Sequence, residues 1–129
     1  MSDLQQSECP FCQLPAGRIA DSNAHAVAIA DGFPVSPGHT LIIAKRHIAC
    51  FFELSLVEIM AVYELLCRGR ARLDATHKPA GYNVGINIGE AAGQTVMHFH
   101  VHLIPRFFGD VIEPQGGVRN IIPGKGVYA

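Results

Sequence analysis

Apolar and polar positions alternate with a period of two in several short stretches of the chain and follow a helical period in one longer stretch. Residues 25–30 (HAVAIA) and 40–44 (TLIIA) are apolar runs bounded by chain breakers. Asp31-Gly32-Phe33-Pro34 ends the first, and Ser36-Pro37-Gly38 extends that loop toward the second, so each run reads as a strand. Residues 81–88 (GYNVGINI) alternate cleanly, with Val84, Ile86 and Ile88 on one face and Asn83, Gly85 and Asn87 on the other. Residues 89–93 (GEAAG) are a turn, and residues 95–104 (TVMHFHVHLI) resume the alternation.

One helix stands between these strands. Ser55 is a good N-cap, Glu58 three residues on completes a capping box, and Leu54 with Ile59 forms a hydrophobic staple. Leu56, Ile59, Met60, Tyr63 and Leu66 recur at helical spacing, which predicts an apolar stripe facing a core. Glu64 and Arg68 form a favourable pair on the other side. The helix is expected to end between Leu73 and His77, ahead of Pro79. The tail from Phe107 onward has turn residues and no periodicity. The expected class is α+β: an antiparallel sheet of about five strands with one main helix.

Composition narrows the function classes. At 129 residues, positions 1–129 are read as one domain. A hydrophobic fraction of 49% against 16% charged argues against disorder. Ten Lys plus Arg against eleven Asp plus Glu leave a net charge of −1, which argues against a nucleic-acid groove. No apolar run approaches the roughly 20 residues that cross a bilayer, so no membrane association is expected. The start, MSDLQQSECP, has no basic n-region or apolar h-region, and the expected location is the cytoplasm.

Three of the seven histidines lie within five residues. His98, His100 and His102 share one strand face, while Phe99, Val101 and Leu103 supply the apolar one. A solvent-facing polar stripe is the bland reading, and a row of three imidazoles speaks against it. Same-face neighbours on a strand stand roughly 6.6 Å apart. Three in-line side chains diverge too much to converge on one ion at about 2 Å, so an imidazole nucleophile is favoured over an open three-histidine metal site.

Cys9 and Cys12 form a C-x-x-C pair. With nearby histidines it has the spacing of a Cys2His2 zinc site, and the competing readings are a redox pair or two buried thiols. Spacing does not say which histidines close the site. Cys50 and Cys67 lie in apolar neighbourhoods and read as structural. The loop from Gly89 to Thr95 offers phosphate donors through its glycines, Gln94 and Thr95, although a plain hairpin turn accounts for it nearly as well. Asp31 and Arg106 read equally as loop caps or solvated charges.

These residues together resemble the histidine-triad (HIT) superfamily of nucleotide hydrolases and transferases. Its H-φ-H-φ-H-φ-φ signature, with φ apolar, is matched at every position from His98 to Ile104. The resemblance extends through Pro34 to Thr40, Lys45-Arg46-His47, Gly81-Tyr82-Asn83, Asn87 and Ala92 to Val96. It implies that His100 attacks the α-phosphorus of a nucleotide and that His102 bonds a phosphate or leaving-group oxygen. Asn87, Gln94 and Thr95 match phosphate-holding positions, Asp31 a ribose ligand, and Ile29 and Phe33 the border of the base. Zinc-bearing members imply a closed, structural Zn2+ site at Cys9, Cys12, His47 and His98. A homodimer is also implied, through the helix at residues 55–73 and the strand edge near Gly81.

The phosphoramidase branch continues its triad strand into a Gly-Gly-Arg turn, whereas this chain has Ile104-Pro105-Arg106. That ending and the run from Ala92 to Val96 look more like the dinucleoside-polyphosphate hydrolases. A nucleoside phosphoramidase is the alternative enzyme. From other classes, a non-catalytic nucleotide-sensing partner protein and a zinc-stabilised interaction module compete with catalysis.

Overall fold

A computed structural model describes residues 8–127, and five strands and one long helix build that part of the chain. The strands are β1 (Ile19–Ser22), β2 (Ala26–Ala30), β3 (Thr40–Ala44), β4 (Gly81–Gly85) and β5 (His100–Arg106), and the helix α1 spans Leu56–Thr76. Every neighbouring pair is antiparallel, in the order β1-β2-β3-β5-β4. The last strand in sequence is therefore interior, with His100 paired to β3 and His102 paired to both β3 and β4. The expected α+β class, a five-stranded sheet with one main helix, is what the structure has.

The two sheet faces are covered differently. Ala26, Ala28, Ile42, Ala44, Phe99 and Val101 face α1 and pack with Leu54, Val62 and Leu65. Small alanines on β2 and at the end of β3 let the helix lie close, and Phe99 and Leu65 fill the space between. On the opposite face Val27, Ile29, Leu41 and Ile43 are covered by Phe11 and Leu14 of the N-terminal segment. That second face carries the site.

The helix starts as expected: the Ser55 side chain accepts from the Glu58 N–H, and Glu58 accepts from the Ser55 N–H. It ends at Thr76, with the His77 and Lys78 N–H groups both bonded to the Leu73 carbonyl. The expected inward stripe is corrected. Leu56, Met60 and Tyr63 are 78%, 70% and 67% exposed, and the buried face is Glu58, Val62, Leu65, Gly69 and Leu73. Two members of that face carry no hydrophobic signal. Arg46 neutralises Glu58 through two bonds of 2.9 and 2.7 Å, and Gly69 lets α1 approach Leu103, whose Cδ2 would stand 3.2 Å from a Cβ there. The Glu64–Arg68 pair forms, at 3.1 Å.

Strand boundaries also move. β4 stops at Gly85, opposite His102, short of residue 88. β5 starts at His100 and runs through Pro105, whereas the alternation predicted residues 95–104. Pro105 is tolerated because its pairing edge looks toward β3, whose ladder has ended at Thr40 opposite Leu103. There the Ser36 hydroxyl donates to the Pro105 carbonyl at 2.6 Å. Gly38 turns the chain into β3 at φ 89°, and a Cβ would lie 2.7 Å from Leu73 Cδ2. Among the described residues no helix is long and apolar enough to cross a membrane.

Candidate active site and metal centre

Register places the histidines in rows across this second face, opposite the helix. Val27, Ile43 and His100 form one row, and Ile29, Leu41 and His102 the next. Along β5 these imidazoles are half-buried and alternate with buried Val101 and Leu103. His98 precedes the strand and is wholly buried. Its position follows from Phe99, whose N–H bonds the Ile48 carbonyl at 2.6 Å and whose carbonyl accepts from the Ala44 N–H at 3.3 Å.

Backbone carbonyls fix two of the three imidazoles, because a carbonyl only accepts. His98 Nε2–H donates to the Ala44 carbonyl at 2.6 Å, leaving the Nδ1 lone pair on the other side. His100 Nδ1–H donates to the His98 carbonyl at 2.8 Å, which leaves a lone pair on Nε2. Adjacent triad members thus present opposite nitrogens, and their roles separate.

The His98 Nδ1 faces Cys9 Sγ at 3.4 Å, Cys12 Sγ at 3.5 Å and His47 Nδ1 at 3.2 Å, and Cys12 Sγ lies 3.0 Å from His47 Nδ1. Donor–donor edges of about 3.3–3.8 Å follow from tetrahedral Zn–N and Zn–S bonds of about 2.0–2.3 Å. The Cys2His2 group therefore fits one tetrahedral cation. Burial and the neighbouring Cys9 push the Cys12 thiol up to about 11, and burial holds His98 below its ordinary value. A bound dication reverses the thiol shift.

Beside this group a cavity of about 420 Å³ opens over His100 and His102. Ile29, Asp31, Phe33, Asn87 and Thr95 also line it. Ile29 is a fully buried floor, whereas Phe33 is a rim residue, 91% exposed. Gln94 is not among the lining residues. Its Oε1 accepts from the Gly89 N–H, and its Nε2 donates to the Ala49 and Val96 carbonyls. The structure thus uses Gln94 to brace the turn before the histidines. Asp31 Oδ1 caps its own loop by accepting from the Phe33 N–H at 2.8 Å.

Several residues of this site carried no assignment in the sequence. Phe11, between Cys9 and Cys12 in sequence, stands edge-on to both His98 and His100, at 6.0 and 5.0 Å between centroids. Arg18 and Leu41 line the same cavity. His39 is buried, and its Nε2 reaches His102 Nδ1 at 2.9 Å and Asp31 Oδ2 at 3.3 Å. The sequence signal for Phe11 was its place inside the C-x-x-C pair, and for His39 its place after the obligatory Gly38.

Comparison with known proteins agrees with this geometry. The HIT domain model matches residues 15–109. An uncharacterized HIT-like protein, MG132, of Mycoplasma genitalium is 41% identical over 105 residues, covering 78% of this chain and 74% of that protein. The AP-4-A phosphorylase of Mycobacterium tuberculosis is 27% identical over 107 residues, covering 78% of this chain and 55% of that one. Among solved structures, a Zn-bound histidine triad family protein from Mycobacterium smegmatis superposes with a TM-score of 0.73 at 31% identity, covering 84% of this chain and 81% of that chain. A family match over most of the sheet, the helix and the histidine strand leaves one conclusion: the chain belongs to the HIT family.

Proposed function

We propose that the chain is a hydrolase or nucleotidyl transferase acting at the α-phosphate of a nucleoside 5′-phosphate derivative through a covalent nucleotidyl-histidine on His100. The observation that carries this is the 2.8 Å bond from His100 Nδ1–H to the His98 carbonyl. It aims an unprotonated Nε2 away from the backbone on the cavity side of β5. As Nε2 bonds phosphorus, the bond to the leaving oxygen breaks and its electron pair departs with the leaving group. The imidazole becomes cationic, and the His98 carbonyl stabilises the Nδ1–H that carries part of this charge. Water then attacks phosphorus, and the P–N bond breaks to restore the neutral ring. His102 is the donor to a phosphate or leaving-group oxygen, and Asn87 and Thr95 at the rim are candidates to hold the phosphates. Asp31 is the candidate ribose ligand, with Ile29 and Phe33 beside the base.

Membership of the HIT family and likeness to a phosphorylase named for AP-4-A support a dinucleoside polyphosphate as substrate. A nucleoside phosphoramidate is the alternative, and turnover of the two donors by wild type and His100→Ala decides between them. A protein that only senses nucleotides would bind both without turning either over.

We infer that Cys9, Cys12, His47 and His98 hold a zinc ion. Likeness to a Zn-bound relative and the tetrahedral fit support this. The ion would be structural: with four protein ligands it has no open position for water, and it would tie the N-terminal segment to the histidine strand. A second copy of the chain is the proposed partner. Exposed Leu56, Met60 and Tyr63, together with the open edge of β4, support an interface there. Residues 1–129 are taken as a single unit.

A further inference from the structure

Three features stand outside the roles already assigned. The exposed apolar residues of the tail, among them Phe108 and Ile112, have nothing to identify what covers them. A second cavity, of about 490 Å³, lies beside Ile104 and Arg106. Its cation is committed within the chain: Arg106 bonds Asp110 at 2.7 and 2.8 Å and Asn83 at 2.6 Å, so the guanidinium is not aimed at a ligand. The third is Arg18, which lines the cavity over His100 and His102.

The sheet register says where Arg18 stands. The cavity floor crosses three strands in one row, with Ile29 on β2, Leu41 on β3 and His102 on β5. Ile19 pairs with Ile29 on the other side of β2, and Arg18 directly precedes it. Arg18 Nη2 donates to the Ala30 carbonyl at 3.1 Å, which puts the head group at β2. From there to β5 are two interstrand spacings, about 10 Å, beyond the reach of a phosphate bonded to His100. Gly32 leaves the wall beside the guanidinium bare, since a Cβ there would meet Arg18 Nη2 at 3.8 Å and nothing else within 4 Å. Charge sets Arg18 apart as well. Arg46, Arg68, Arg70, Arg72 and Arg106 each stand within 4.0 Å of a carboxylate. Arg18 instead meets a neutral carbonyl, which takes one of the five N–H donors of a guanidinium.

We propose that Arg18 is a specificity-determining residue that reads the edge of the nucleobase and selects a 6-oxopurine, guanine or hypoxanthine, over adenine. The orientation of the nucleotide rests on the function proposed above, with phosphate at His100, ribose at Asp31 and the base over Ile29 and beside Phe33. That order puts the far edge of the base at Arg18. A 6-oxopurine presents two adjacent acceptors on this edge, N7 and O6, which match the arginine fork. Adenine replaces O6 by an amino group, so N–H would face N–H across the same gap. Ile29 and Phe33 accept the flat face of any base and carry no such preference. The favoured dinucleoside polyphosphate then bears a 6-oxopurine on the half that is transferred.

The test is calorimetric titration of the metal-loaded full-length protein with GMP, IMP, AMP and inorganic pyrophosphate, which needs no turnover. Wild type should bind GMP and IMP about 5- to 20-fold more tightly than AMP, the lower part of the range for a bidentate arginine contact because the rim is open to water. Arg18→Lys keeps the charge and loses the fork, and Arg18→Met keeps the stem alone. Both should bring the ratio close to unity while AMP and pyrophosphate bind as they do to wild type. A wild type without preference, a preference that persists in Arg18→Met, or IMP bound as weakly as AMP would overturn the proposal. An equal loss for the three nucleotides and pyrophosphate would make Arg18 a phosphate contact, and an equal loss for the nucleotides alone would make it a stacking platform or a brace; either overturns it. The two readings fail separately. Turnover of nucleotides without a base preference removes this inference alone, and a 6-oxopurine preference without turnover removes the catalysis and leaves Arg18 as the base reader.

Discussion

The ring of Phe11 stands edge-on to the imidazole of His100, with centroids 5.0 Å apart, so a residue that lies between Cys9 and Cys12 in sequence is also a wall of the cavity over His100 and His102. The Cys2His2 group and the proposed nucleophile are therefore joined through one side chain. If the proposed zinc holds Cys9 and Cys12, its removal should free the segment that carries Phe11 and loosen the covering of Val27, Ile29, Leu41 and Ile43.

Chelation, or Cys12→Ser, should remove one equivalent of zinc per chain and weaken nucleotide binding as well as the fold. The unfolding midpoint should drop by about 8 °C or more, the shift that ~2 kcal/mol produces in a domain of this size. Metal analysis, a thermal scan and nucleotide titration of the same sample check this. A metal-free sample with unchanged midpoint and affinity contradicts it.

Arg46 beside Glu58 holds that carboxyl down to about 2, from an ordinary value of 4.5. A carboxylate whose folded value is depressed contributes stability above its unfolded value, and the contribution is lost as pH falls through the folded one. Urea unfolding from pH 6 down to pH 2 should show stability falling between about 4.5 and about 2. Glu58→Gln should be less stable at neutral pH, with a flatter profile over that window. Equal slopes for both proteins would discard this pairing as the cause.

Gly38 has φ 89°, and a Cβ there would meet Leu73 Cδ2 at 2.7 Å. Gly38→Ala should cost about 2–4 kcal/mol, combining strained backbone with overpacking. Gly17→Ala is the control, because nothing lies within 4 Å of its added Cβ. Denaturant midpoints read both, and similar values for the two variants would contradict the account of the turn.

Met60→Glu together with Tyr63→Glu changes two outward positions of α1, exposed by 70% and 67%. If that face meets a second copy, the pair should convert a dimer into a folded monomer in sedimentation velocity. A wild-type monomer, or a variant that remains dimeric, argues against this interface.

What could be read early was local. Ser55 and Glu58 announced the start of α1 because a capping box lies within four residues, and the alternation through Phe99, Val101 and Leu103 separated the histidines from the apolar face. The inward face of α1 stayed hidden because it depends on partners far along the chain: Glu58 is buried only with Arg46, and Gly69 is useful only against Leu103. The start of β5 was hidden likewise, since the Phe99 N–H bonds the Ile48 carbonyl, beyond the end of β3. At the site, the histidine row was plain, but its division between the Cys2His2 group and the cavity rests on the carbonyls of Ala44 and His98. Gln94 illustrates the converse: its residue type suits phosphate, and its neighbours use it to hold a turn.

The most direct test of the central claim is the intact mass of the protein after a rapid, acid-free quench with diadenosine tetraphosphate, and in parallel with adenosine phosphoramidate. Wild type should gain one adenylyl group within the burst phase, and His100→Ala should bind the nucleotide and gain none. Turnover without an adduct, accompanied by inversion at phosphorus, would mean direct attack by water and would contradict a covalent His100.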